Sequence, residues 1–321
     1  MLNKDRVQRI FERTDVDQLL VCEPMAVYYL LGKMFHPGER FLGVLLRRDK
    51  EAVLYVNALF RFEEDLQIRK EYFTDTDDIV ELLSKEIDST KVLGVDKTLT
   101  ANFLLPMMER KIASGFVNGS LAVDLTRAVK DPKEIELMRA SSHINDLAMA
   151  EFKKLIHEGV TEIEVADQML DIYKKLGAEG YSFEPIVAFG DNAADPHHGP
   201  DSTVLKEGDI VLFDVGCTYH GYCSDMTRTF FYKKYPDAEA ERVYNLVRAA
   251  NEESTKLCGP GTVISTIDKK ARDIITEGGY GEDFTHRLGH FIGLTDHEFG
   301  DVSLANDRKE EPGNIHSIEP G

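Results

Sequence analysis

Along the first 125 residues the apolar positions switch between short continuous runs and helical spacing. "DQLLVCE" is an apolar run ending at Pro24 and predicts a strand, and "FLGVLLRRDKEAVLYVNAL" predicts two strands folded about a charged turn at Arg48-Asp49-Lys50. "TDDIVELLSKEI" has amphipathic helical spacing, "KVLGVD" reads as a buried strand, and "TANFLLPMMERKI" reads as another helix. This alternation predicts a small α/β domain. It contains no phosphate-cradling loop, because "LGK" at 31–33 lacks both the earlier glycine and a following Ser or Thr.

A helix start then follows in "KDPKEIELMRASSHINDLAMAEFKKLIHEG". Asp131 suits the N-cap, Pro132 the first helical position, and Glu134 the positive end of the helix dipole. Leu137, Ser141, Ile144, Ala148, Phe152 and Leu155 share one face, with Gly159 as the expected stop. Thr161 and Glu164 fit a capping box for a second helix running to Gly177. A strand-rich stretch over 183–232 precedes two more helices, at 237–257 and 263–277. The change of pattern divides the chain into 1–125, an α/β domain, and 126–321, a larger domain of sheet and helices.

Charge narrows the functional classes. With 38 Lys and Arg against 57 Asp and Glu, the net charge is −19. Such a surface repels phosphate backbones, so no nucleic-acid partner is expected. It suits a protein that gathers cations, although most of the charge serves solubility. No apolar run approaches the ~20 residues of a membrane helix, and the charged, amphipathic N-terminus has no apolar leader. The four cysteines do not make a disulfide framework, so a cytoplasmic protein with reduced thiols is expected.

The candidate chemistry begins at "FDVGCTYHGYCSDMT". Asp214 and Asp225 are equidistant from a reversal centred between Tyr219 and His220, so an in-register hairpin would set them opposite each other on one face. Two carboxylates that close repel unless a proton or cation lies between them. Cys217 and Cys223 would point to opposite faces, and no second CxxC completes a zinc knuckle. In "FTHRLGHFIGLTDHEFG", His286, His290 and His297 are interleaved with glycines. Arg287 stands where a zincin helix would need glutamate, so these imidazoles are expected to come from a strand or loop. Glu319, in "IHSIEPG", follows a strand-like run and is expected at a strand end. Carboxylates with imidazole suit Mn, Co, Zn or Fe. Two bridging carboxylates would allow two metals ~3.5–4 Å apart to clamp one water and lower its pKa toward ~7.

Four segments in order, "AFGDNAADPHHGPD", "GDIVLFDVGCTYHGYCSDMTRTF", "HRLGHFIGLTDHE" and "EPGNIHSIEPG", resemble the pita-bread metallopeptidases. The similarity is to the Xaa-Pro dipeptidase (prolidase) and Xaa-Pro aminopeptidase branch, and "DQLLVCEPMAVYYLLG" is similar to the creatinase-type domain that precedes the catalytic domain there. The resemblance implies an α/β chain with a creatinase-like N-terminal domain and a curved antiparallel sheet flanked by helices. It implies a dinuclear peptidase with two divalent ions, Mn or Co ahead of Zn or Fe, in which hydroxide attacks the Xaa-Pro bond of a dipeptide. The metal ligands would be Asp214, Asp225, His290 and Glu319, with Asp225 bridging. His197 would lie near the scissile bond with His198 as a neighbour, His297 would stabilise the tetrahedral intermediate, and Glu319 would also shuttle a proton.

His286 would sit at the substrate end of the cleft; the residue that reads the substrate carboxylate is not fixed by the resemblance, and Arg308 is a candidate for it. A homodimer is implied by the same resemblance. The alternatives are an Xaa-Pro aminopeptidase acting on longer peptides, or a non-catalytic binding module of the same fold. The family has a fifth ligand, a glutamate beyond the position of Glu319. The sequence stops at Gly321, so we expect an incomplete copy of such an enzyme rather than a truncated relative.

Overall fold

In the computed structural model, which describes residues 1–321, the chain forms two units, Met1–Arg127 and Ala128–Gly321. In the first, α1 (Lys4–Glu12) and β1 (Gln18–Val21) precede α2 (Pro24–Leu31). The strands β2 (Leu42–Arg47), β3 (Lys50–Asn57) and β4 (Arg69–Phe73) lead to α3 (Ile79–Ser84), and β5 (Val92–Val95) to α4 (Ala101–Glu109). The unit ends with β6 (Gly115–Asn118) and α5 (Ser120–Ala128). Its sheet has the order β4-β3-β2-β1-β5-β6, with antiparallel pairing in the β1–β2–β3 meander and parallel pairing outside it.

Helix α2 is absent from the sequence-based expectation, which ended its apolar run at Pro24. "PMAVYYLL" buries Ala26, Val27, Tyr29, Leu30 and Leu31, so it has no polar face and no amphipathic period to detect. Its ends are nevertheless written in the sequence. Glu23 accepts from the Met25 and Ala26 amides, Pro24 takes the first position, and Gly32 closes the helix at φ 66°.

The second unit opens with α6 (Pro132–Phe152) and α7 (Glu162–Lys175). Thr161 and Glu164 form the expected capping box of α7. Asp131, the expected N-cap of α6, makes a second box with Glu134, where the sequence predicted only a charge favourable to the helix dipole. The buried face of α6 differs from expectation. It comprises Met138, Ser141, Ile144, Asn145, Ala148, Met149 and Phe152, with Leu137 only half-buried, and the helix ends at Phe152 rather than near Gly159. Polar groups belong to that face because the hairpin beneath it offers carbonyls. Asn145 Nδ2 donates to Val215 O at 3.0 Å and Ser141 Oγ to Cys217 O at 3.0 Å.

Strands β7 (Gly180–Tyr181), β8 (Ile186–Phe189), β9 (Ile210–Val215), β10 (Cys217–Tyr219), β11 (Tyr222–Cys223) and β12 (Met226–Phe231) follow, pairing as β11-β10-β7 and β12-β9-β8. Helices α8 (Ala238–Thr255) and α9 (Ile264–Glu277) precede a two-stranded ribbon of β13 (Gly289–Phe291) and β14 (Glu298–Val302). Under β9 the core is aromatic. Phe152 packs edge-on against Tyr173 at 5.2 Å and tilted against Phe213 at 6.3 Å, all three fully buried. Each such side chain contributes about 1.5–3 kcal/mol from burial. That floor fixes β9, the strand that carries Asp214. No helix of the chain is long and apolar enough to cross a membrane.

Candidate active site

The hairpin turns on His220 and Gly221, at φ 47° and 79°, between the paired Tyr219 and Tyr222. Two residues of positive φ make the two-residue turn whose twist matches the strands. This corrects the expected centre between Tyr219 and His220. Asp214 therefore lies opposite Thr227, and Asp225, just before β12, sits diagonally from it rather than opposite. The pairing is displaced by two residues, one full pleat, so both carboxylates keep the same face. At Gly216, between β9 and β10, an added Cβ would run into Ser182 and the Ser224 carbonyl, which is why this position takes glycine.

His290 is the middle residue of β13. Glu319 is not at the end of a regular strand, as expected, but on a segment laid antiparallel along β13. The Ser317 amide donates to His290 O at 2.9 Å and the Glu319 amide to Leu288 O at 2.8 Å. Gly289 permits this approach, since a Cβ there would collide with the Ser317 carbonyl.

These elements bring three expected ligands together. His290 Nε2 lies 3.2 Å from Asp225 Oδ2 and 3.4 Å from Glu319 Oε1, and the ligand atoms of all three residues lie within 4.8 Å of one another. Asp214 joins them electrostatically: burial, then the Asp225 charge, push its carboxyl up to about 6, against the Thr227 hydroxyl that donates to it at 2.9 Å. Burial also pushes Glu319 up to about 7, with Asp225 and Asp214 adding to it and His290 pulling the other way. At His290 burial opposes protonation, but Asp225 and Glu319 outweigh it and raise the imidazole.

A further carboxylate, Asp296, went unnoticed in the sequence. Burial and then Asp225 push it up to about 7, and its Oδ1 is buried without a hydrogen-bond partner. Carboxylate oxygens here outnumber donors, and the His290 Nδ1 rests 3.3 Å from Phe291 O, which aims Nε2 into the cluster. This mixed oxygen and nitrogen set, with an orphaned buried oxygen beside it, fits a divalent cation.

The remaining expected residues are placed as follows. His297 is exposed, with its ring 4.1 Å from that of His290 and its Nε2 3.4 Å from Asp296 Oδ2; burial, then His290 and Arg287, hold its pKa down. His197 and His286 are exposed and line the same cleft as the carboxylates. His198, beside His197, is turned onto Glu162 at 2.6 Å. Arg308 is not brought to the cleft. Its Nε is 3.2 Å from Asn306 Oδ1 and its guanidinium sits over Phe299, while the arginines lining the cleft are Arg228, Arg248 and Arg287. The cysteines of the hairpin stand apart from the cluster: Cys217 contacts Ser141 and Ser224, and burial, then Asp296, push Cys223 up to about 12, a thiol rather than a thiolate.

Comparison with known proteins follows the same division of the chain. Residues 136–321 match the model of Metallopeptidase family M24, and residues 4–129 match that of the Creatinase/Prolidase N-terminal domain. An uncharacterized peptidase of Staphylococcus epidermidis is 33% identical over 322 residues, covering 98% of this chain and 90% of its own length. The prolidase of Pyrococcus horikoshii superposes with a TM-score of 0.87 at 30% identity, covering 98% of this chain and 90% of that one. The Xaa-Pro dipeptidase of Bacillus anthracis gives 0.88 at 30% identity, with 99% and 89% covered.

Proposed function

Because the chain belongs to metallopeptidase family M24, and is thereby a hydrolase, we propose that it cleaves the peptide bond before proline in Xaa-Pro dipeptides. The observation that carries this reading is the convergence of Asp225, His290 and Glu319, with Asp214 on the same sheet face, on one cleft. The likeness to a prolidase and an Xaa-Pro dipeptidase supports the choice of substrate.

Asp214, Asp225, His290 and Glu319 would hold two divalent ions, Mn or Co in the first instance. Such ions, when bound, polarise the scissile carbonyl and lower the pKa of an attacking water toward ~7. Glu319, 3.4 Å from His290 Nε2, would in its carboxylate form accept a proton from the attacking water and pass it to the departing amine. His297, kept neutral, can donate one N–H to the oxygen that gains charge as the carbonyl becomes tetrahedral. His197 lies in the same cleft and would orient the substrate near the scissile bond. His286, whose Nδ1 is fixed 2.7 Å from Arg287 O, would close the substrate end. In this reading the protein works as a homodimer in the cytoplasm.

Hydrolysis of Xaa-Pro dipeptides and of Xaa-Pro-Xaa tripeptides by the full-length protein, with added Mn²⁺ or Co²⁺, tests the reading. Release of proline from dipeptides in preference to tripeptides is expected. Tripeptide preference would make it an aminopeptidase, and no turnover with either ion would refute peptidase activity before proline.

A further inference from the structure

Glu162 is fully buried at the first position of α7, and every donor to its carboxylate comes from the last residue of β8 or from the loop after it, which carries His197. Oε1 accepts from the Phe189 amide at 2.7 Å and from Asn192 Nδ2 at 3.0 Å. Oε2 accepts from the Asp201 amide at 3.1 Å and lies 2.6 Å from His198 Nε2. One carboxylate thus grips the loop at its start, middle and end. The main chain repeats the grip, with Glu162 N donating to Thr203 O at 3.2 Å and Ile163 N to Asp201 O at 3.0 Å.

His197 is caught inside this closed loop. Its amide donates to Asp195 Oδ1 at 2.9 Å and the His198 amide to Asp195 O at 3.1 Å, so the two histidines share one turn. The turn divides them: the His198 side chain is 14% exposed and bonded to Glu162, while His197 is exposed and lines the cleft. We infer that Glu162 and His198 are positioning residues, a buried clamp that sets where His197 meets the substrate. The inference rests on the reading of His197 as a substrate-facing residue. A buried carboxylate kept for helix capping alone would not need donors 27 to 39 residues away. The α7 cap is in any case supplied by Thr161 and Glu164.

A displacement of the order of an ångström at such a residue can cost about 100-fold in rate. Glu162→Gln and His198→Ala in the full-length, metal-loaded protein are therefore expected to lower kcat/KM for an Xaa-Pro dipeptide by about 10- to 100-fold, with bound metal per chain unchanged. His198→Gln, which returns an N–H near the position of Nε2, is expected to recover most of the loss. The discriminating measurement is a double-mutant cycle with His197→Ala. In that background Glu162→Gln should cost almost nothing further. The same fold-loss in both backgrounds, or no loss beside wild-type His197, would overturn the clamp. A silent His197→Ala would instead overturn the reading of His197, and the positioning inference with it. If Glu162→Gln fails to fold, the cycle with His198→Ala and His198→Gln decides alone.

Discussion

Two histidine–carboxylate sites in the second unit use the same residue types to opposite ends. At Glu162 the carboxylate has four donors, and His198 completes a closed set. At His290 one imidazole faces Asp225 and Glu319 at 3.2 and 3.4 Å, with Asp214 and Asp296 close behind. The count of donors decides the difference. A buried carboxylate satisfied by N–H groups is structural cement, whereas burial beside like charges keeps the proton on Asp214 to about 6 and on Glu319 to about 7, and favours any cation that replaces it. The same contrast recurs at Lys130–Glu298, where the cation is supplied by the chain itself, with both side chains almost wholly buried.

Asp225→Asn strikes the cation-seeking site at its centre and carries the largest expected effect. Peptidase activity should fall by at least about 1,000-fold, some 4 kcal/mol of transition-state stabilisation, while far-UV circular dichroism stays that of the wild type. The stabilisation by Mn²⁺, about 2.7 kcal/mol at 100 times Kd for the wild type, should disappear in the variant. Retained activity would remove Asp225 from the reaction.

Lys130→Met tests the self-supplied cation. Lys130 Nζ is 3.0 Å from Glu298 Oε2, and Glu298 Oε1 accepts the Leu294 amide, so the pair spans the turn that holds Asp296 and His297. Leaving Glu298 buried without its ammonium should cost about 3–5 kcal/mol in urea unfolding, and Lys130→Met with Glu298→Leu should recover much of it. A loss below about 1 kcal/mol would mean that the carboxylate finds other relief.

How far the sequence disclosed this contrast depended on the distance over which each device acts. The shared face of Asp214 and Asp225 was legible although the register was two residues off, because the pleat repeats every two residues. The capping box of Thr161 and Glu164 was legible because its partners lie three residues apart. Glu162, between the two residues of the α7 capping box, drew no notice in the sequence, since its donors lie across a loop whose closure no local pattern encodes. Asp296 passed unnoticed beside three more conspicuous histidines. Arg308 was a candidate to read the substrate carboxylate, but the fold turns its guanidinium onto Phe299.

Titration offers an intermediate test on the metal-free protein. Glu319 rises from 4.5 to about 7, so between those values the folded chain holds a proton that the unfolded chain has released. Stability attributable to this group is therefore full below about 4.5 and is lost as pH rises through about 7. The raised imidazole of His290 works in the same direction, contributing below 6.5 and fading as pH rises through its folded value. In chelator, the Glu319→Gln variant should thus gain on the wild type in urea midpoint between about pH 4.5 and 7 and hold that advantage above. Saturating Mn²⁺ should reverse the order, because ligands bind deprotonated. A difference between the two proteins that does not change with pH would show that Glu319 is as satisfied as Glu162.

Thr227→Val is the mildest expected change and the most direct check on donor counting. The Thr227 hydroxyl donates to Asp214 Oδ1 at 2.9 Å, opposing the burial and the Asp225 charge that raise this carboxyl. Without it the carboxylate form of Asp214 is less favoured, and the site should hold metal more weakly by about 0.5–1.5 kcal/mol, up to roughly tenfold in Kd. With metal in excess, kcat should stay close to that of the wild type, since Thr227 orients a ligand and has no expected contact with substrate. Titration with Mn²⁺ followed by calorimetry reads the first quantity, and dipeptide turnover at saturating metal reads the second. A fall in kcat comparable to that of Asp225→Asn would mean that Asp214 depends on its one hydroxyl donor as heavily as Glu162 depends on its four, and the division between the two kinds of carboxylate would not hold.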